Sequence, residues 1–130
     1  MQKKILLIFT ILYCMLLTAC GQSTKTITLP DPDEIVEVEI ALDESDVRIY
    51  TGIEFQETLS ALQSAKSINK ESTDDTPDVE NAIKIDLFFR NGFSRCYVYE
   101  DNGLYYVEQP YESIFQIDES AYQQVLELIH

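Results

Sequence analysis

Tyrosines and carboxylates dominate the groups that could do chemistry in this chain of 130 residues. Eight tyrosines and six phenylalanines stand among 23 acids, nine lysines or arginines, three cysteines and a single histidine. That histidine, His130, is the last residue given, where chain ends fray, so neither a histidine-based triad nor a histidine metal site is expected. Asp74, Asp75, Asp78 and Glu80 crowd one stretch, and hard oxygen ligands at that density would hold Ca²⁺ weakly. The stretch lacks the glycine and the Asp-x-Asp-x-Asp spacing of an EF-hand loop. A solvated acidic loop is therefore the expectation, with no metal and no other cofactor assigned. Paired carboxylates for glycoside chemistry need a cleft at a set separation, and nothing singles out one pair among so many acids. No catalytic residue emerges. Phe88, Phe93, Tyr97, Tyr99 and Tyr106 form the best candidate binding face, with Tyr111 at its edge, because such rings offer contact area at low entropic cost. A face that is simply wet, stabilised by cross-strand pairs with Lys84 and Arg95, is the plainer alternative, and coverage by another part of the chain is a third.

The other group with chemistry is Cys20. Lys3 and Lys4 precede the apolar run Ile5 to Leu17, which is too short to cross roughly 30 Å of hydrocarbon as a helix and has the length of a signal core. Leu17, Thr18, Ala19 and Cys20 close it, and the small residues suit a peptidase that cuts before Cys20. The pattern resembles bacterial lipoprotein precursors. The resemblance implies a signal peptide over 1–19, a diacylglyceryl group on the Cys20 sulfur, a lipidated tether over 20–28 and a single domain over 29–130. Two acyl chains, at about 0.8 kcal/mol per buried methylene, make release negligible. The expected location is then the extracytoplasmic face of the cell membrane. Cys14 would leave with the signal, so Cys96 remains as the one free thiol of the folded part.

Loss of Lys3 and Lys4 leaves seven basic residues against 23 acids, a net charge of −16. Such a surface repels nucleic acid and anionic headgroups, so nucleic-acid binding is excluded and the domain is expected to stand off the bilayer on its tether. At 45% hydrophobic residues the chain is foldable despite this charge. About a hundred residues support one core that buries about 60–65% of the unfolded surface.

These side chains must be positioned by an α+β fold of order β-β-α-β-β-β-(β)-α. Val36, Val38, Ile40 and Leu42 alternate with Glu37, Glu39 and Ala41, which predicts a strand with one buried face, and Val47 and Ile49 continue the alternation after the turn Asp43–Asp46. Thr51 and Glu54 have capping-box spacing, with Phe55, Leu59 and Leu62 on one helical face and Lys66 near the helix end. Residues 67–82 show no period and are expected to be a long loop. Asn91-Gly92 predicts a type I′ hairpin with Arg90 paired to Phe93, Leu87 to Cys96 and Ile85 to Val98. That puts Cys96 on the buried face. Asn102-Gly103 predicts a second two-residue turn that brings Val98 to Val107 and Tyr99 to Tyr106, in preference to a three-residue turn that would oppose Tyr105 to Tyr99. Ile114–Ile117 form a short further strand. Asp118 then caps a last helix with Ala121, Tyr122, Val125, Leu128 and Ile129 as its apolar stripe. Two helices on one face of an antiparallel sheet bury both stripes.

From Leu29 to about Leu128 the chain resembles a family of small lipoprotein and secreted domains of Gram-positive bacteria, recorded as a domain of unknown function. The likeness lies in Asn69–Ser72, Thr76-Pro77-Asp78-Val79-Glu80, Lys84-Ile85-Asp86 and above all Gly103-Leu104-Tyr105-Tyr106-Val107-Glu108-Gln109-Pro110-Tyr111. It implies an extracytoplasmic module and brings no activity or catalytic residue. The expected role is that of a noncatalytic binding module that meets a protein partner. A carboxylate- or calcium-dependent envelope enzyme and a structural or stress-linked lipoprotein are the alternatives.

Overall fold

The first strand shows how alternation is modified by bulges. In the computed structural model, which describes residues 25–130, β1 spans Ile35–Asp43. Leu17, Thr18, Ala19 and Cys20 lie outside the described residues. Val38 and Ile40 are fully buried as expected, but Val36 and Leu42 are exposed. The register slips between Ile35 and Glu37 and again between Ala41 and Asp43. Each slip inserts an extra residue and reverses the period-two pattern, so Ile35 rather than Val36 enters the core. Asp43 closes the turn by accepting from the amides of Ser45 (2.8 Å) and Asp46 (3.0 Å). β2 (Asp46–Tyr50) then pairs with β1 as an edge strand. Val47 and Ile49 oppose Ala41 and Glu39 on the outer face and are exposed; Arg48 and Tyr50 lie over Ile40 and Val38 instead.

The capping box forms: the Thr51 amide donates to the Glu54 carboxylate (2.7 Å) and the Glu54 amide to Thr51 Oγ1 (3.3 Å). It caps a turn, however, and α1 (Gln56–Gln63) begins only after it. Phe55, Leu59 and Leu62 are wholly buried. Lys66 does not end the helix but opens β3 (Lys66–Glu71), where a loop was expected. β3 carries a bulge between Ser67 and Lys70, and Asn69 there has φ of 54°. A bulged edge strand has no period to read, which is why the sequence hides it.

The loop proper is 72–82. It leads to β4 (Ile83–Phe89), β5 (Gly92–Asp101), β6 (Leu104–Gln109), β7 (Ser113–Ile117) and α2 (Glu119–Glu127). The second hairpin is as predicted, with Val98 opposite Val107, Tyr99 opposite Tyr106, and positive φ at Asn102 and Gly103. The first is displaced by two residues: Phe89 pairs with Gly92, Leu87 with Ser94 and Ile85 with Cys96, so Arg90 and Asn91 make the turn. This register sets Asp86 opposite Arg95 and Phe88 opposite Phe93, pairings the predicted one lacks. An even displacement leaves every side chain on its predicted face.

All six pairings are antiparallel and give one seven-stranded sheet of order β2-β1-β4-β5-β6-β7-β3. α1 carries the chain across the inner face from one edge to the other, and loop 72–82 returns across the outer face to the centre. Both helices pack on the inner face, where Leu59, Leu62, Ala121, Val125 and Ile129 meet Val38, Ile40, Ile85, Leu87, Cys96, Val98 and Phe115. Asp118 occupies the N-cap position of α2 with extended backbone and no side-chain cap bond. The Tyr50 hydroxyl donates to the Leu128 carbonyl and ties the β2 edge to α2. Ile27 is part of the same core, so packed chain reaches back into the segment read as tether.

Gly52 lies where the chain leaves β2 beneath the 3₁₀ turn Pro32–Glu34. A Cβ there would stand 2.7 Å from the Pro32 carbonyl oxygen and 2.8 Å from that of Ile35, both backbone atoms. Gly52→Ala is expected to lower stability by about 1–3 kcal/mol, the usual range for overpacking, read as a lower midpoint in thermal or urea unfolding.

Candidate functional site at the Gln109–Tyr111 turn

The predicted aromatic face is divided by the strap formed by residues 72–82. Tyr97 and Tyr99 retain only 7% and 6% exposure, Tyr106 and Phe88 are half-buried, and Phe93 and Tyr111 stand out at 54% and 66%. Most of the outer face is therefore covered by the chain itself, and Tyr97 and Tyr99 keep little exposed surface. A cavity of about 290 Å³ remains between strap and sheet, with Thr73, Asp78 and Val79 on one side and Tyr99, Glu108 and Ile114 on the other.

Covering this face buries two carboxylates, and both are met. Asp86 takes a two-pronged bond from Arg95, Nε at 2.6 Å and Nη2 at 2.8 Å, and this bond holds the guanidinium above its ordinary pKa. The Arg95 guanidinium also lies 5.4 Å from the Phe93 ring centre. Glu108 accepts from Ser72 Oγ (2.6 Å) and from the Tyr99 hydroxyl (3.0 Å). Burial, reinforced by the bond to Glu108, pushes the Tyr99 phenol well above its usual range, and burial raises Tyr97 in the same direction. Ring pairs Tyr99–Tyr106 (5.6 Å) and Phe88–Phe93 (5.8 Å) line the two ends of the face. Among the described residues, no buried side-chain polar atom lacks a hydrogen-bond partner.

Asp74, Asp75, Asp78 and Glu80 all lie on the strap with exposed side chains. Among the described residues no three acidic, histidine or cysteine side chains converge on a metal-sized site. Asp75 instead accepts from the Tyr111 hydroxyl. Cys96 is buried on the inner face as expected, and desolvation pushes its thiol up to about 12, which leaves it inert at neutral pH.

The exposed rings gather at one end of the sheet. Gln109 is buried and donates from Nε2 to the Thr28 carbonyl (2.8 Å), which pins the N-terminal segment beneath the turn. The Glu112 amide donates to the Gln109 carbonyl (3.0 Å), and between them Tyr111 adopts φ of 60°. A left-handed tyrosine costs on the order of 1–3 kcal/mol and persists only where its surroundings fix it. Here Pro110 on one side and Asp75 on the other do so. A groove of about 390 Å³ runs between strap and first hairpin, lined by Asp75, Phe93, Arg95, Tyr97, Tyr111 and Glu112. Recesses of about 450 and 420 Å³ adjoin it and share Gln109 and Glu112 with it. The rim presents two exposed rings, the Tyr111 hydroxyl and the carboxylates of Asp75 and Glu112. Ser72, Asp86 and Gln109 are supporting residues whose roles sequence reasoning missed, whereas Arg95 was expected on this face as a cross-strand partner of its rings and also holds Asp86. Only the alternation that puts Asp86 and Arg95 on one face hinted at them.

Residues 23–116 match the family DUF5301, described as "Domain of unknown function (DUF5300)", and the chain belongs to this family. A similar solved structure is described as "NMR structure of the protein from Ruminococcus gnavus"; it is 29% identical, with a TM-score of 0.63, and covers 75% of this chain and 99% of its own. No match was found among curated proteins.

Two outcomes follow from this geometry. Glu108→Ala strips Ser72 and Tyr99 of their acceptor and is expected to cost about 1–3 kcal/mol, with amide exchange accelerated over 72–82 before the rest of the sheet. The second concerns alkali. Cys96 holds its proton more tightly when folded than its ordinary value of 9.0 allows, so the stabilisation is complete below about pH 9 and is lost as pH rises toward about 12. Tyr99 acts in the same direction. Melting temperature should fall over this window, and Cys96→Ala should make the fall shallower without abolishing it.

Proposed function

We propose that this chain is a lipid-anchored extracytoplasmic protein whose folded domain is a noncatalytic binding module, with the Tyr111 turn as its contact site. The anchor reading is supported by Leu17, Thr18, Ala19 and Cys20 at the end of a signal-length apolar run. The likeness to small Gram-positive lipoprotein and secreted domains supports the same placement. The binding reading rests on one observation: a two-thirds exposed tyrosine held in a strained conformation beside an exposed phenylalanine and a groove. Residues held in such conformations cluster at ligand clamps and other contact sites.

Cys20→Ser is expected to move the protein from the membrane fraction to the soluble one, and retention in the membrane fraction would remove the anchor. Tyr111→Asn deletes the ring while supplying a residue that accepts positive φ, so the fold is kept. A central aromatic contact is worth about 2 kcal/mol or more, so crosslinking through this turn, to protein or to lipid, should drop at least about tenfold. Tyr111→Phe, which keeps the ring, should restore it.

A further inference from the structure

Lys25 follows Cys20 by only five residues, so its place on the domain bears on which end a lipid on Cys20 could bring to a membrane. Lys25 lies beside Glu71 (3.7 Å) and lines the same recess as Tyr111, Gln109 and Glu112. The segment then passes under the turn at Thr28 and runs past Phe89 and Ser94 into β1. The N-terminal segment thus leaves the domain at the Tyr111 end of the sheet. Five peptide steps separate Cys20 from Lys25, and a fully extended chain covers about 18 Å in that distance. Headgroups take up about 5–8 Å of it on each side of the hydrocarbon. What is left is on the order of 10 Å, the size of a protruding side chain and its turn.

We infer that the partner met by the Tyr111 turn is the bilayer surface itself, with Tyr111 and Phe93 seated at headgroup level. This rests on the lipid anchor proposed above. Tyrosine rings favour that depth because their bodies are apolar and their tips polar. Asp31, Asp33 and Glu112 keep the backbone of the near end out of the membrane, so the rings rest on it and do not carry the domain in. The stand-off expected from net charge assumed a free tether to residue 28; with Ile27 in the core that length is not there.

The chain contains no tryptophan, so one introduced by substitution reports alone. Phe93→Trp, Tyr111→Trp and, at the exposed far-end turn, Leu104→Trp would be made in the full lipidated chain on phosphatidylcholine vesicles doped with a headgroup-nitroxide lipid. Quenching at positions 93 and 111 should exceed that at 104 at least about twofold, with blue-shifted emission at the first two only. Equal or greater quenching at 104 would overturn the inference. Vesicle-bound protein with no quenching at 93 or 111, but with crosslinking to a protein still dependent on the Tyr111 ring, would overturn it and leave the binding module standing. Protein that fails to float with vesicles would overturn the anchor along with it.

Discussion

The structure depends on neutralising two carboxylates under a covering segment. Asp86 and Glu108 belong to strand positions that ordinarily face water, yet both are buried here, Glu108 against the strap. A buried carboxylate without partners would be far too costly, so Arg95 must stand directly opposite Asp86, and Ser72 and Tyr99 must reach Glu108. The first requirement selects the register of the first hairpin. The second fixes where the strap starts, and through Asp75 it fixes the left-handed tyrosine at the rim. Contacts made for folding therefore determine the shape of the site.

What could be read from the sequence divides along the same line. Features set by neighbours in the chain were legible: the Asn102-Gly103 turn, the stripe Phe55, Leu59, Leu62, and the inward Cys96. The Asn91-Gly92 pair misled by two residues because a local turn preference yielded to the Asp86–Arg95 and Phe88–Phe93 pairings across the strands. Val36, Leu42, Val47 and Ile49 were assigned to the buried side, since alternation cannot show where a bulge resets it or which strand lies at an edge. β3 escaped for the same reason. As for the site, alternation correctly gathered Phe88, Phe93, Tyr97, Tyr99 and Tyr106 on one face. It could not say that an aperiodic acidic stretch would lie across Tyr97 and Tyr99 and leave the rings at positions 93 and 111 outside.

The distinctive run Tyr105 to Tyr111 acquires a physical meaning in the fold. Tyr105 stacks on Tyr122 of α2 (4.8 Å), Val107 lies in the core, Glu108 holds the strap, Gln109 holds the N-terminal segment, and Tyr111 is presented outward. One strand and its turn thus fasten the helix layer, the strap and the entering chain. The run is thus a structural junction that also carries the turn of the candidate site.

The edge strand β2 has a further consequence. Its outer rim offers unpaired backbone groups beside exposed Val47 and Ile49, the usual invitation to intermolecular strand addition. It is only five residues long, and the turn that leads into it carries Asp43, Glu44 and Asp46. A copy docking there would bring clustered negative charges together for a very short ladder. That repulsion opposes polymerisation through a sheet margin whose aliphatic side chains would otherwise favour it.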